Sequence, residues 1–222
     1  MFAARNSFHV LRGNPRLNGA FDTISRTVGI LDIGAYVRTP EGRLIVMTLD
    51  GLYEVTLQGV KPLSRDVIPE ELIGIDPERY EVSLGWDFDR RGVVISACSR
   101  SFSSDPTLPT ISYFYSERTG GFFIDEYNLN HDPMCMVNHQ INSSGSLVLI
   151  RGGRDGYLRN YNKGSATDDG INFNSNCLYG PLRLGNGEYG DGYLQQIIDV
   201  LDQNSGSVTL KAYVGHSAQV AL

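Results

Sequence analysis

The stretch Gly185-Asn186-Gly187-Glu188-Tyr189-Gly190 has the GxGxxG spacing that lets a pyrophosphate rest on a helix N-terminus in a dinucleotide site. That chemistry needs a buried parallel strand before the turn and a helix after it. Gly180-Pro181 lies just upstream and is poor material for a central strand. Leu194, Ile197, Ile198 and Leu201 do share a helical face, but the flanking βα units are missing, so the stretch reads as a loop. His131, Cys135 and His139 recur every four residues, a spacing that stacks metal ligands on a helix. Asp132-Pro133 breaks a helix there. As a strand the segment keeps only Cys135 and His139 on one face, and a metal site needs three or four ligands. Carboxylates come in pairs (Asp87 and Asp89, Asp125 and Glu126, Asp168 and Asp169, Asp199 and Asp202), as a glycosidase requires across a cleft. Most sit at strand ends, where Asp builds turns. His9 and His216 lie near the ends of the sequence and no GxSxG elbow is present, so no Ser/His/Asp triad is indicated. The expectation is no catalytic, cofactor-binding or metal-binding residue.

The elements around these residues are strands. "EGRLIVMTLDGLYEV" (41–55) reads as two strands joined at Asp50-Gly51, whose types supply the positive φ angles of a two-residue hairpin. Leu44 and Val46 face one way and Ile45, Met47 and Leu49 the other, as in a strand covered on both sides. "SGSLVLIRGGRDGYLRNY" (144–161) repeats the pattern, turning at Asp155-Gly156. Looser versions are "DFDRRGVVISACS" (87–99) and "TISYFYSERTGGFFIDEY" (110–127), the latter turning at Thr119-Gly120-Gly121. The residues singled out as structural turns are therefore Asp50, Gly51, Gly120, Gly121, Asp155 and Gly156. The exception to strands is "SRDVIPEELIGIDPERY" (64–80), where Pro69 starts one or two helical turns, Glu70 and Glu71 suit the first, and Gly74 ends them.

Strand units at intervals of about 40–50 residues match four-stranded propeller blades. The expected fold is all-β, with three to four propeller-like blades, an incomplete ring and a short helical crossover; a β-sandwich is the alternative. Residues 1–170 form the repeated units. Residues 171–222, with strands expected at 193–201 and 208–214, form a further blade or a small appended sandwich.

The 222 residues carry 19 Lys plus Arg against 25 Asp plus Glu, a formal charge of −6. That balance disfavours a sequence-independent nucleic-acid binder, which needs a basic face. Three cysteines (Cys98, Cys135, Cys177) without a CxxC read as reduced thiols. The opening residues lack the apolar core of a signal peptide, and nothing approaches 18 consecutive apolar residues, so no membrane span is expected and the site of synthesis is a cytoplasm.

"SERTGGFF" (116–123) faintly resembles the Ser-x-Asp-x-Gly turn of sialidase-like propellers, with Arg118 where the Asp belongs. A broader likeness covers residues 20–190. "TPEGRLIVMTLDGLYEVTLQGVKPLSRDVIPEEL", "YEVSLGWDFDRRGVVI", "YFYSERTGGFF" and "VLIRGGRDGYLRNYN" followed by "YGPLRLG" resemble β-propeller tail proteins (nozzle, hub and adaptor components) of short-tailed phages and prophage-like elements. The resemblance implies a virion protein made in the host cytoplasm, present in several copies beside other tail proteins. Viral DNA would only pass by it in transit. No functional residue carries over, because the family's role is structural. Nozzle-type chains are generally longer, which leaves a short tail accessory or a split subunit open. Two rival readings remain. One is a carbohydrate-binding or carbohydrate-cleaving propeller that stacks sugars on Trp86, Tyr113, Phe122, Phe123 or Tyr127. The other is a cellular scaffold for protein partners.

Overall fold

The computed structural model describes residues 1–14, 16–64, 68–100, 110–127, 131–141, 146–160, 167–168, 170–172 and 209–212. Among the described residues the regular elements are strands, apart from one 3-10 turn at Glu70–Leu72. Among the described residues, four antiparallel sheets of three or four strands follow one another over residues 2–160. The first contains β1 (Phe2–Ala4), β2 (Ser7–Arg12) and β3 (Ala20–Ser25); the second β4 (Tyr36–Arg38), β5 (Leu44–Thr48), β6 (Gly51–Val55) and β7 (Val60–Pro62). The third has β8 (Tyr80–Asp87), β9 (Gly92–Ser99), β10 (Ile111–Ser116) and β11 (Phe122–Ile124); the fourth has β12 (Pro133–Ile141), β13 (Ser146–Gly153) and β14 (Leu158–Asn160). Within each sheet, strands that are neighbours in sequence are neighbours in space. Every one is a meander.

Each sheet buries an apolar face against the next. Phe8 of β2 packs with Val46 and Val55 on one face of the second sheet. The opposite face of that sheet, through Ile45, Met47 and Leu52, joins Val82, Leu84, Trp86, Val93 and Ile95 of the third. Val94 and Phe114, on the far side of the third sheet, meet Leu149 and Met136 of the fourth. The sequence explains the central position of β9. Gly-Val-Val-Ile-Ser-Ala-Cys-Ser has no charged residue, and all eight residues are buried. Val93, Ile95 and Ala97 face one neighbour while Val94 faces the other. Full burial of each such Val or Ile is worth about 1.5–3 kcal/mol.

Backbone joins the second and third sheets as well. In the linker before β4, the Leu31 N–H donates to the Met47 carbonyl (2.9 Å), and the Ala35 carbonyl accepts from the Met47 N–H (2.9 Å). The Gly34 carbonyl accepts from the Leu84 N–H of β8 (3.0 Å). A Cβ at Gly34 would stand 2.7 Å from the Val82 carbonyl oxygen, so this close approach requires glycine. Asp32 fastens the same linker: its carboxylate accepts the Val82 N–H (3.1 Å) and pairs with Arg100.

The helical expectation over 64–80 resolves to the one 3-10 turn. Pro69 precedes it, Glu70 and Glu71 open it, and Ile73 is already extended. Gly74 follows in the left-handed region at φ +74°. Leu72 and Ile75 anchor this crossover in the core between the second and third sheets.

The chain divides into two units, Met1–Asp168 and Asp169–Leu222. In the second, β16 (Ile171–Asn172) is formed, β15 (Thr167–Asp168) being the last strand of the first. Residues 209–212 are exposed and belong to no strand, which corrects the strand expected at 208–214. All four are exposed, so no buried apolar face holds a strand there. The strand expected at 193–201 lies outside the described residues.

Candidate functional site

The turns are the first place where sequence expectations meet geometry. At the first hairpin Thr48 pairs with Gly51, so the two loop residues are Leu49 and Asp50. Neither has positive φ; Gly51 does, at +125°, as the opening residue of β6. The expected Asp50-Gly51 loop is thus displaced by one residue. Thr48 is the reason. Its hydroxyl donates to the Gly51 carbonyl (3.0 Å) and accepts the Asp50 N–H (3.1 Å), closing the loop around Leu49 and Asp50. Leu49 is therefore 41% exposed instead of joining the face of Ile45 and Met47. Gly120 turns in the left-handed region (φ +67°), with its N–H on the Ser116 carbonyl (2.9 Å); Gly121 needs no such conformation. Gly156 has φ +83°, and the Asp155 carboxylate accepts the Tyr157 N–H (3.1 Å). Both hairpins singled out in the sequence exist, joined by two residues in one and four in the other.

Two of these carboxylates, Asp87 and Asp125, are partners of one arginine, Arg90. Asp87, at the end of β8, accepts the Asp89 and Arg90 N–H groups (2.9 and 3.0 Å) and the Arg90 Nε–H (2.7 Å). Asp125 takes Arg90 Nη1 and Nη2 in a two-point clasp, both at 2.9 Å. The guanidinium lies 4.1 Å over the Phe114 ring. The Tyr127 hydroxyl donates to Asp125 (3.3 Å), and Arg151 of β13 stands 5.0 Å over the Tyr127 ring. A ladder of ring, guanidinium, carboxylate, ring and guanidinium thus runs from the third sheet to the fourth. Its carboxylates are held as salt partners of a permanent cation. The ladder is absent from the sequence expectations. Its signal was the Asp-x-x-Arg turn at 87–90 beside an aromatic-rich β10.

A second polar group lies at the start of β12. The Cys98 thiol donates to the Pro133 carbonyl (3.4 Å), and burial pushes its pKa up. Arg154 Nη2 donates to the Thr110 hydroxyl (3.0 Å) and its Nε lies 3.9 Å from Asp132. Burial raises the Asp132 carboxyl against the opposing pull of Thr110 and Arg154. Asp155 behaves oppositely. Hydrogen bonds from Arg159, one at 2.8 Å, hold its carboxyl down at about 2, and His131 Nε2 lies 3.9 Å away.

Cys135 and His139 lie on β12, four residues apart, and share a face as the strand reading required. His131 is drawn to Asp155 instead. Among the described residues no group of three His, Cys, Asp or Glu could hold a metal, and Cys98 and Cys135 are free thiols. Of the five aromatic residues considered for sugar stacking, Trp86 (2% exposed) and Tyr113 (9%) belong to the core, while Phe123 is exposed. A depression at Asp87–Asp89 and Leu147–Leu149 encloses only about 20 Å³, far below the roughly 300–1,000 Å³ of small-molecule sites. No described helix is long and apolar enough to cross a membrane. Gly185–Gly190, Asp169, Cys177, Asp199, Asp202 and His216 lie outside the described residues. No protein-family model matches the chain, and no curated protein matches it.

Proposed function

We propose that the chain is a structural, non-catalytic component of a phage tail or head-tail junction. Its meander sheets are propeller-like blades, and several copies assemble around the DNA channel alongside other tail proteins. One observation carries the reading: successive meanders bury face against face, first to second, second to third, third to fourth. Blades of a propeller are related in this way. The sequence resemblance over residues 20–190 supplies the virion context. The clasp of Arg90 on Asp87 and Asp125 also favours a building role, because it uses carboxylates as fasteners.

Electron microscopy of the isolated protein, together with mass spectrometry of purified particles, tests it. Rings or partial rings, and copies retained in particles, are expected. A monodisperse monomer that never accompanies particles overturns the proposal, as does turnover of cell-wall or capsule polysaccharide abolished by a single Asp or Glu substitution.

A further inference from the structure

Charge is divided unevenly along the chain. Residues 1–40 contain five Arg and two Asp and no Lys or Glu, while the remainder carries 14 Lys plus Arg against 23 Asp plus Glu. Four of those five arginines (Arg5, Arg12, Arg16 and Arg26) lie on the first sheet or in its turns and the linker after it; Arg38 is on β4. The inner face of that sheet holds Phe8 against the second sheet, and Val10 is buried on the same face. Its outer face presents Phe2 and Phe21, 53% and 60% exposed, with ring centroids 5.1 Å apart and His9 beside Phe21 at 6.2 Å. Arg5, Arg16 and Arg26 are exposed in the adjoining turns. The sheet's own acid, Asp22, pairs with Arg12 at 2.8 Å.

The complement lies in the crossover before β8. Glu70, Asp76 and Glu78 are exposed there around Ile73, which is 51% exposed. Leu72 and Ile75 bind this crossover to the face of the second sheet that carries Met47 and Leu52, whereas Phe8 binds the first sheet to the face that carries Val46 and Val55. The two charged surfaces therefore stand on opposite sides of the second sheet. Two copies can join them head to tail.

We propose that the outer face of β1–β3 docks onto the acidic crossover, residues 70–78, of a second copy of this chain. The inference rests on the assembly reading above and names its surfaces. Opposite charge steers the encounter, and Phe2, Phe21 and Ile73 supply the apolar centre. A contact that joins two different surfaces repeats, closing a ring or extending a filament. A nucleic acid fits less well, because the excess of carboxylates beyond residue 40 repels a polyanion at range.

The test uses the full chain in sedimentation experiments at low and high salt. Wild type associates with concentration, and less at high salt. Phe21→Ser on one surface, and Glu70→Lys with Glu78→Lys on the other, each weaken association by about tenfold or more. All three positions are exposed, and unchanged melting curves verify the folds. Mixing the two variant chains yields a one-to-one dimer that grows no further, since each retains the surface the other lacks. A mixture that stays monomeric overturns the proposal, as do variants that associate like wild type. Binding of a fluorescent single-stranded oligonucleotide that Phe21→Ser abolishes also overturns it. If wild type is monomeric yet present in particles, this contact is wrong and the tail reading stands. If it is monomeric and absent from particles, both fall.

Discussion

Gly51 and Gly156 both take positive φ at a hairpin, yet they stand in different surroundings. At Gly51 an added Cβ would lie 2.8 Å from Ile68 Cδ1 and 2.9 Å from Ser64 Oγ, and the Leu52 N–H depends on that same hydroxyl (3.0 Å). At Gly156 nothing lies within 4 Å. Gly156→Val therefore meets backbone strain alone, about 1–2 kcal/mol. Gly51→Val adds a steric clash and loses roughly 2–4 kcal/mol. Urea unfolding of the two variants should rank them in that order. Asp155 makes a pH prediction. Its folded pKa, about 2, lies below the ordinary 3.8, so its stabilisation is complete above about pH 4. It is lost as pH falls through 2. Asp155→Asn should lower stability at neutral pH and flatten the acid limb between about pH 4 and 2, followed by circular dichroism.

The Arg90 ladder makes its prediction at the level of elements. Asp87 is nearly buried and Asp125 mostly so, and Arg90 is the cation that neutralises both. Arg90→Met keeps the stem over Phe114 but strands two carboxylates, at a loss of roughly 3 kcal/mol. Arg43, by contrast, pairs with Glu117 among half-exposed groups. Arg43→Met should cost less than about 1 kcal/mol. A double-mutant cycle with Asp125→Asn separates the clasp from simple burial. What the sequence revealed at this scale follows from local causes. Alternation, β-branched runs and glycine marked β5, β6, β9 and β13. The one-residue displacement at Gly51 was hidden because it depends on which hydrogen bonds Thr48 chooses. The ladder was hidden because Arg90, Asp125 and Arg151 are distant in sequence, and only the packing of two sheets unites them.

Across the molecule, the order of the sheets was partly legible, since repeated hairpins along a chain favour sequential meanders. Which face meets which was not, because β5 and β9 are apolar on both sides. Gly85 tests one such interface. Its added Cβ would lie 2.6 Å from Leu149 Cδ1 and 3.0 Å from Met136 Cβ, at the contact between the third and fourth sheets. Gly85→Leu overpacks that contact and costs about 1–3 kcal/mol or more. Hydrogen exchange should show faster opening of β12 and β13 than of β4–β6, because the strain is local to one interface. Equal loss of protection in all four sheets would mean that they unfold as one unit.

The burial of every residue of β9 bears on how the chain leaves the ribosome. Its second apolar side, Val94 with Phe114 of β10, is covered by Leu149, more than fifty residues downstream of Val94. Until that distance has been translated, a neutral, β-branched strand waits half bare. Such a strand invites adventitious pairing with other nascent chains. Fragments ending near residue 127 should accumulate as inclusion bodies, whereas those extended past β14 should stay in solution. Pelleting assays on a truncation series read this out.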